Sequence, residues 1–293
     1  MFQRFSEEMK DILKKEENCI LILMGIRQYT FRECRKYCPQ RVIDTGIMEP
    51  AAVGIAAGMA AKGLVPFLHT WTPFLVERAY EQLKLDFGCQ KLGGNFIGAG
   101  ASYDLTAYGD SHYCPSDVPI LKQIRNMQIA VPGTADEFAA LFRAAYNNGY
   151  PTYYRLSENV NHKSHIADFG KASVLRKGSC ATILAVGPML DYILPAAEEY
   201  DVTVLYYTTV VPFDRETLRK YISGHRIMIA EPYHKGAVLG EVVEALSGYP
   251  LKIELIGFEV DSVCSLGEYS ENISDWGFDQ ITVKRKLEKL LEE

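Results

Sequence analysis

Short apolar runs alternate with amphipathic stretches along the whole chain. Residues 19–24, 41–44, 64–68, 95–98, 128–131 and 152–155 are brief apolar segments that read as strands, and helical spacing falls between them at 5–15, 49–62, 73–87 and 135–147. That rhythm predicts a mainly parallel, doubly wound sheet. A polar stretch at 158–165 interrupts it, and the pattern then resumes with strands at 180–186, 202–207, 225–230 and 251–256. Helices are predicted over 188–200, 214–221, 236–247 and 281–291. The expected fold class is therefore α/β, as two doubly wound domains over residues 1–162 and 170–293.

One stretch stands out: Val42-Ile43-Asp44-Thr45-Gly46-Ile47-Met48-Glu49-Pro50, followed by the small-residue run 51–60. The apolar run stopping at Gly46 reads as a buried strand, and Glu49 and Pro50 then occupy the first turn of a helix. An acid there either complements the helix dipole or marks a ligand site at the tip of a parallel strand, where open α/β sheets bind ligands.

Composition narrows the class. Hydrophobic residues make up 48% and charged residues 23%, enough for sizeable cores. The net charge of −6 argues against a nucleic-acid partner. No apolar run has the length of a membrane span, and Met1-Phe2-Gln3-Arg4-Phe5-Ser6-Glu7-Glu8 lacks signal-peptide character, so a cytoplasmic location away from membranes is expected. Seven Cys are spread without a pairing scheme, and no second Cys/His pair answers Cys34 and Cys38, so no metal site is expected.

Other residues invite a chemical reading. His112 follows Gly109 and Asp110 in a loop, a setting suited to proton transfer or to a substrate hydroxyl. Trp71 and Phe74 are spaced to form one aromatic wall on a helical turn, for ring stacking or core filling. His162, His165, His225 and His234 read as linker or surface residues.

Gly46-Ile47-Met48-Glu49 with its Ala/Gly-rich helix resembles the pyrimidine-binding domain of the transketolase family, whose cofactor is thiamine diphosphate. The resemblance implies that Glu49 hydrogen-bonds the aminopyrimidine ring, shifting its amine towards the imino tautomer that deprotonates the thiazolium carbon. Such chemistry needs a carboxyl able to share a proton, hence a largely desolvated one. Further segments follow in the family's order. Thr70-Trp71-Thr72-Pro73-Phe74-Leu75 and Arg78-Ala79-Tyr80-Glu81-Gln82 resemble the aromatic segment that stacks on the pyrimidine; Tyr108-Gly109-Asp110-Ser111-His112 resembles the Asp-Gly-Pro-Thr-His loop. The strings from Gly170 to Gly178 and from Ala181 to Gly187, with Pro212-Phe213-Asp214 and Ile229-Ala230-Glu231, resemble the family's C-terminal domain. By this resemblance the catalytic residues are Glu49 and His112; Ile47, Glu49, Trp71 and Phe74 meet the cofactor, and His112 meets the substrate.

Full-length transketolases place first a domain with a Gly-Asp-Gly segment that holds Mg²⁺ and the diphosphate, and no Gly-Asp-Gly occurs here. The resemblance therefore implies the C-terminal half of a split transketolase, transferring a two-carbon ketol unit from a ketose to an aldehyde. An N-terminal partner subunit would hold most of the diphosphate and Mg²⁺, and a self-dimer would build a heterotetramer. Departures concern the substrate. Glu158 follows Leu156-Ser157 where the family has a phosphate-gripping Arg, and Ala101 stands where an acid helps select the ketose. Arg155 is the candidate substitute for the phosphate grip, and a specialised sugar, unphosphorylated or differently activated, is expected. Two alternatives remain open at this level: the beta subunit of a 2-oxo-acid dehydrogenase, and a non-catalytic regulatory subunit.

Overall fold

The apolar runs form the interior strands of two sheets, in a computed structural model that describes residues 1–26 and 28–292. In the first sheet lie β1 (Cys19–Leu23), β2 (Val42–Asp44), β3 (Val65–Trp71), β4 (Gly94–Ala99), β5 (Gln128–Ala130) and β6 (Pro151–Leu156). The second contains β7 (Ala172–Arg176), β8 (Ala181–Val186), β9 (Val202–Tyr207), β11 (Arg226–His234) and β12 (Lys252–Phe258), while β10 (Thr209–Val211) crosses over to the first. The strand orders are β10-β5-β6-β4-β3-β1-β2 and β12-β11-β8-β9-β7. Pairing is parallel throughout except at the edge strands β10 and β7. Strands such as β1, β6 and β8 are buried along their whole length, as covering a parallel sheet on both faces requires.

Two edge strands were absent from the sequence reading. β10 comes from the second half of the chain but pairs with β5, Thr209 opposite Ala130 and Val211 opposite Ile129, so the first sheet is completed by the second domain. One apolar cluster runs across the same joint, from Ile22, Val53 and Leu68 to Leu184, Tyr207 and Ile229.

The helix predicted over 73–87 is instead a succession of turns. Wide π-helical turns at Phe74–Arg78 and Leu83–Cys89 flank a short helix, Tyr80–Gln82. Trp71 is the last residue of β3 and Phe74 opens the turn after it, so the two are not neighbours on one helical face. Among the described residues no helix is long and apolar enough to cross a membrane.

Candidate active site at the carboxyl ends of the first sheet

In the first sheet the order reverses beside β1, since the chain passes from β1 to β2 on one side and then back to β3 on the other. Crevices at such a switch point, beyond the carboxyl ends of the strands, are where doubly wound folds hold ligands. Gly25 follows β1, Gly46 follows β2, Trp71 ends β3 and the His112 loop follows β4. Close approach here favours glycine: at Gly25 a Cβ would come within 2.9 Å of the Ile47 side chain, and its φ of +77° is one that residues with a side chain rarely adopt.

Glu49 is the first residue of the helix Glu49–Ala60 and is fully buried. Its Oε2 accepts a hydrogen bond from Arg78 Nη1 at 2.8 Å, and its Oε1 is buried with no hydrogen-bond partner among the described residues. A buried carboxylate oxygen without a partner is costly, and a donor from a bound group would remove that cost. The Arg78 side chain is 44% exposed and lies over Phe74, its guanidinium carbon 4.1 Å from the ring centroid.

His112 also meets Phe74, with ring centroids 5.1 Å apart in an edge-to-face arrangement, and packs beside Tyr108 at 5.0 Å. Its Nδ1 lies 3.0 Å from Ser111 Oγ. Partial burial, with the positive charge of Arg78 second, holds the imidazole below its ordinary value of 6.5, so it is neutral near pH 7. Glu49, Arg78, Phe74 and His112 thus form one contiguous set. Trp71 stands half-buried at the end of β3, beside Gly100, and Ile47 is 69% exposed two residues before Glu49.

Arg155 is placed differently from expectation. It is 2% exposed, its Nε donates to Asp117 Oδ2 at 2.7 Å and its Nη2 to the Pro232 carbonyl at 2.8 Å. With Tyr153 Oη also on Asp117 at 2.9 Å, this is a buried ion pair at the joint between the two domains. A guanidinium so enclosed offers no grip on a substrate phosphate, so the substrate role expected for Arg155 does not fit this setting. Glu158 is exposed, and Ala101 is buried.

Arg78 is the residue that sequence reading passed over as a site residue. It was one letter in an aromatic segment, and nothing local shows that a buried acid 29 residues earlier needs its charge. The sole signal was general: a buried carboxylate calls for a counter-charge.

The residues fit the aminopyrimidine of thiamine diphosphate in one testable respect, the partnerless Glu49 Oε1 at the crevice. That group supplies, when bound, a nucleophilic carbon that carries the transferred unit.

Comparison with known proteins places this geometry. Residues 2–162 match the family description "Transketolase, pyrimidine binding domain", and residues 170–265 match "Transketolase, C-terminal domain". A 33.6 kDa protein of the fasciation locus of Rhodococcoides fascians is 33% identical over 260 residues, covering 88% of this chain and 83% of its own length. A 1-deoxy-D-xylulose-5-phosphate synthase of Nitrosomonas eutropha is 28% identical over 99% of this chain, which spans 48% of that enzyme. A 6-deoxy-6-sulfo-D-fructose transketolase subunit of a Clostridium strain is 33% identical over 66% of this chain and 63% of its own. Among solved structures, one described as a split gene transketolase, inactive beta4 tetramer, superposes with a TM-score of 0.84, covering 98% of this chain and 96% of its own at 24% identity. With both halves of the chain matched and the fold shared, the protein belongs to the transketolase family.

Proposed function

We propose that this chain is the cofactor-activating subunit of a two-chain, thiamine diphosphate-dependent transketolase. It acts with a partner chain that holds the diphosphate and Mg²⁺, and moves a two-carbon ketol unit from a ketose to an aldehyde. The observation that carries the reading is Glu49: fully buried, one oxygen on Arg78 and the other without a partner among the described residues, at the carboxyl ends of a parallel sheet. In this reading Glu49 shares a proton with the pyrimidine ring through Oε1, while Arg78 fixes the carboxyl through Oε2. Phe74 and Trp71 supply ring surface, Ile47 lines the rim, and neutral His112 binds a substrate hydroxyl or relays a proton.

Support for a separate partner comes from relatives. The chain resembles a protein named as a transketolase subunit, at 33% identity over 66% of this chain. The assembly we favour is a self-dimer of this chain carrying two partner chains. A specialised sugar is the substrate, since Glu158 is exposed where a phosphate-gripping Arg would stand.

Many matched relatives are 1-deoxy-D-xylulose-5-phosphate synthases, which favours a second reading in which the same site serves an acyl donor. Reconstitution with the candidate partner, thiamine diphosphate and Mg²⁺, followed by parallel assays with ketose and 2-oxo-acid donors, separates the two. Ketol transfer from a ketose supports the first; carbon dioxide release from a 2-oxo acid, without ketose turnover, would replace it with the second.

A further inference from the structure

The loop that carries His112 is built into the other domain. It leaves β4 at Ala99 and returns at the helix Asp117–Leu121, and Tyr103 and Tyr113 from its two limbs belong to the apolar core of the second domain. The Tyr103 ring lies 5.0 Å from Tyr113, 4.8 Å from Phe258 and stacks on Trp276 at 5.3 Å.

Hydrogen bonds repeat the pattern. Tyr103 Oη donates to the Ser262 carbonyl at 3.2 Å, and Thr106 Oγ1 donates to the Gly267 carbonyl. Tyr113 Oη donates to the Thr106 carbonyl at 2.7 Å, tying the returning limb to the outgoing one. At the base, Ser102 Oγ donates to the Pro232 carbonyl at 2.7 Å, and His234 N donates to the Pro115 carbonyl at 2.8 Å. Between these anchors the tip is open: Ala107, Tyr108, Asp110 and Ser111 are exposed and His112 is half-buried.

Holding the domains together does not require the upper anchors, because the β10–β5 pairing, the shared core and the Arg155–Asp117 pair already do so. What Tyr103 and Thr106 add is a fixed height and angle for the tip. We infer that the second-domain segment 262–267 is a positioning device for His112, acting through Thr106 and Tyr103, so that the second domain sets how the site meets its substrate. Effective catalysis depends on such placement, where displacements of about 1 Å cost up to roughly a hundredfold in rate. The inference rests on the reading of His112 as a substrate contact, and its test is arranged to fail separately from that reading.

The test uses the full chain carrying Thr106→Val, which keeps the shape and removes the donor, with Thr106→Ser as the conservative control and Tyr103→Phe as an independent second variant. The primary readout needs no cofactor or partner: titration of the His112 ring by NMR. Arg78, whose positive charge acts on the ring, and Asp110, two residues before it on the loop, are unchanged in every variant. If the anchors hold the tip, Thr106→Val and Tyr103→Phe move the His112 titration upward towards 6.5 as water enters, and Thr106→Ser restores it. In the reconstituted complex the same variants raise KM roughly tenfold with a smaller change in kcat. An unmoved titration in both Thr106→Val and Tyr103→Phe, with melting temperature preserved, overturns the inference. Should His112→Ala leave kcat and KM untouched, the substrate role of His112 falls instead, while the titration still decides the anchoring.

Discussion

Arg78 Nη1 donates to Glu49 Oε2 at 2.8 Å, and the sister oxygen Oε1 stays buried without a partner among the described residues. The asymmetry divides one carboxylate into a held side and an available side. Arg78 reaches this position across Phe74, so the ring, the guanidinium and the carboxylate form a single stack at the crevice. A half-exposed cation can hold a buried anion only if it is aimed, and the aromatic face supplies the aim.

The pair is expected to be coupled in stability as well as in chemistry. Arg78→Ala leaves the Glu49 carboxylate buried without its counter-charge, and should destabilise the chain by about 1–3 kcal/mol. With Glu49→Gln in the background the same change should cost much less, and a double-mutant cycle from denaturant melts measures the difference. Additive losses would remove the coupling.

A second ion pair is structural. Asp117 and Arg155 are both enclosed, at 0% and 2% exposure, and 2.7 Å apart. Asp117→Ala is expected to cost about 3–5 kcal/mol because it strands a buried guanidinium. Replacing both by apolar residues of similar volume should cost less than that. Urea melts of the single and double variants give the comparison.

Glu231 predicts a pH dependence of stability. It lies where β11 becomes irregular, fully buried, and accepts from the backbone N–H groups of Gly236 and Val238. Burial pushes its carboxyl from 4.5 up to about 7, against the pull of those N–H groups and of Lys122. The folded state therefore binds the proton more tightly than the unfolded one. The contribution is full below about pH 4.5 and is lost as pH rises towards about 7. Glu231→Gln should flatten the stability profile across that window; an unchanged slope would show that Glu231 is ionised in the folded protein throughout.

Assembly offers a prediction independent of catalysis. The helix Glu49–Ala60 buries Ala52, Val53, Ala56 and Ala57 against its own sheet, and leaves Ala51, Ile55 and Gly58 outward. The isolated chain is expected to form a self-dimer burying at least roughly 2,000 Å² in total. Light scattering at micromolar concentration checks this, and Gly58→Trp, on the outward side with open space around it, should weaken the dimer if the helix is part of the contact. A monomer of the wild-type chain would remove the self-dimer from the proposed assembly.

Interior strands were legible because burial on both faces writes a continuous apolar run, as in Ile183-Leu184-Ala185-Val186. The edges were not. β10 is three residues long and exists by pairing with another domain's strand, which no local pattern encodes. β7 is half-buried along its length, so its residues neither alternate nor run apolar. At the crevice, Glu49, His112 and Phe74 could be singled out by residue type and position, but Arg78 between them could not. Arg78 and Arg155 look alike in the sequence, yet one stands beside Glu49 and the other is locked on Asp117, because the partner acids lie 29 and 38 residues away.

The account turns on Glu49 sharing a proton through its free oxygen, which a neutral amide cannot do. The most direct measurement is ketol transfer by the reconstituted two-chain complex with thiamine diphosphate and Mg²⁺, wild type against Glu49→Gln. Each chain is also assayed alone, and partner binding is verified for the variant. The account predicts no turnover by the isolated chain and a loss of at least about a hundredfold in Glu49→Gln, with assembly intact. Turnover of Glu49→Gln within about tenfold of wild type would contradict it.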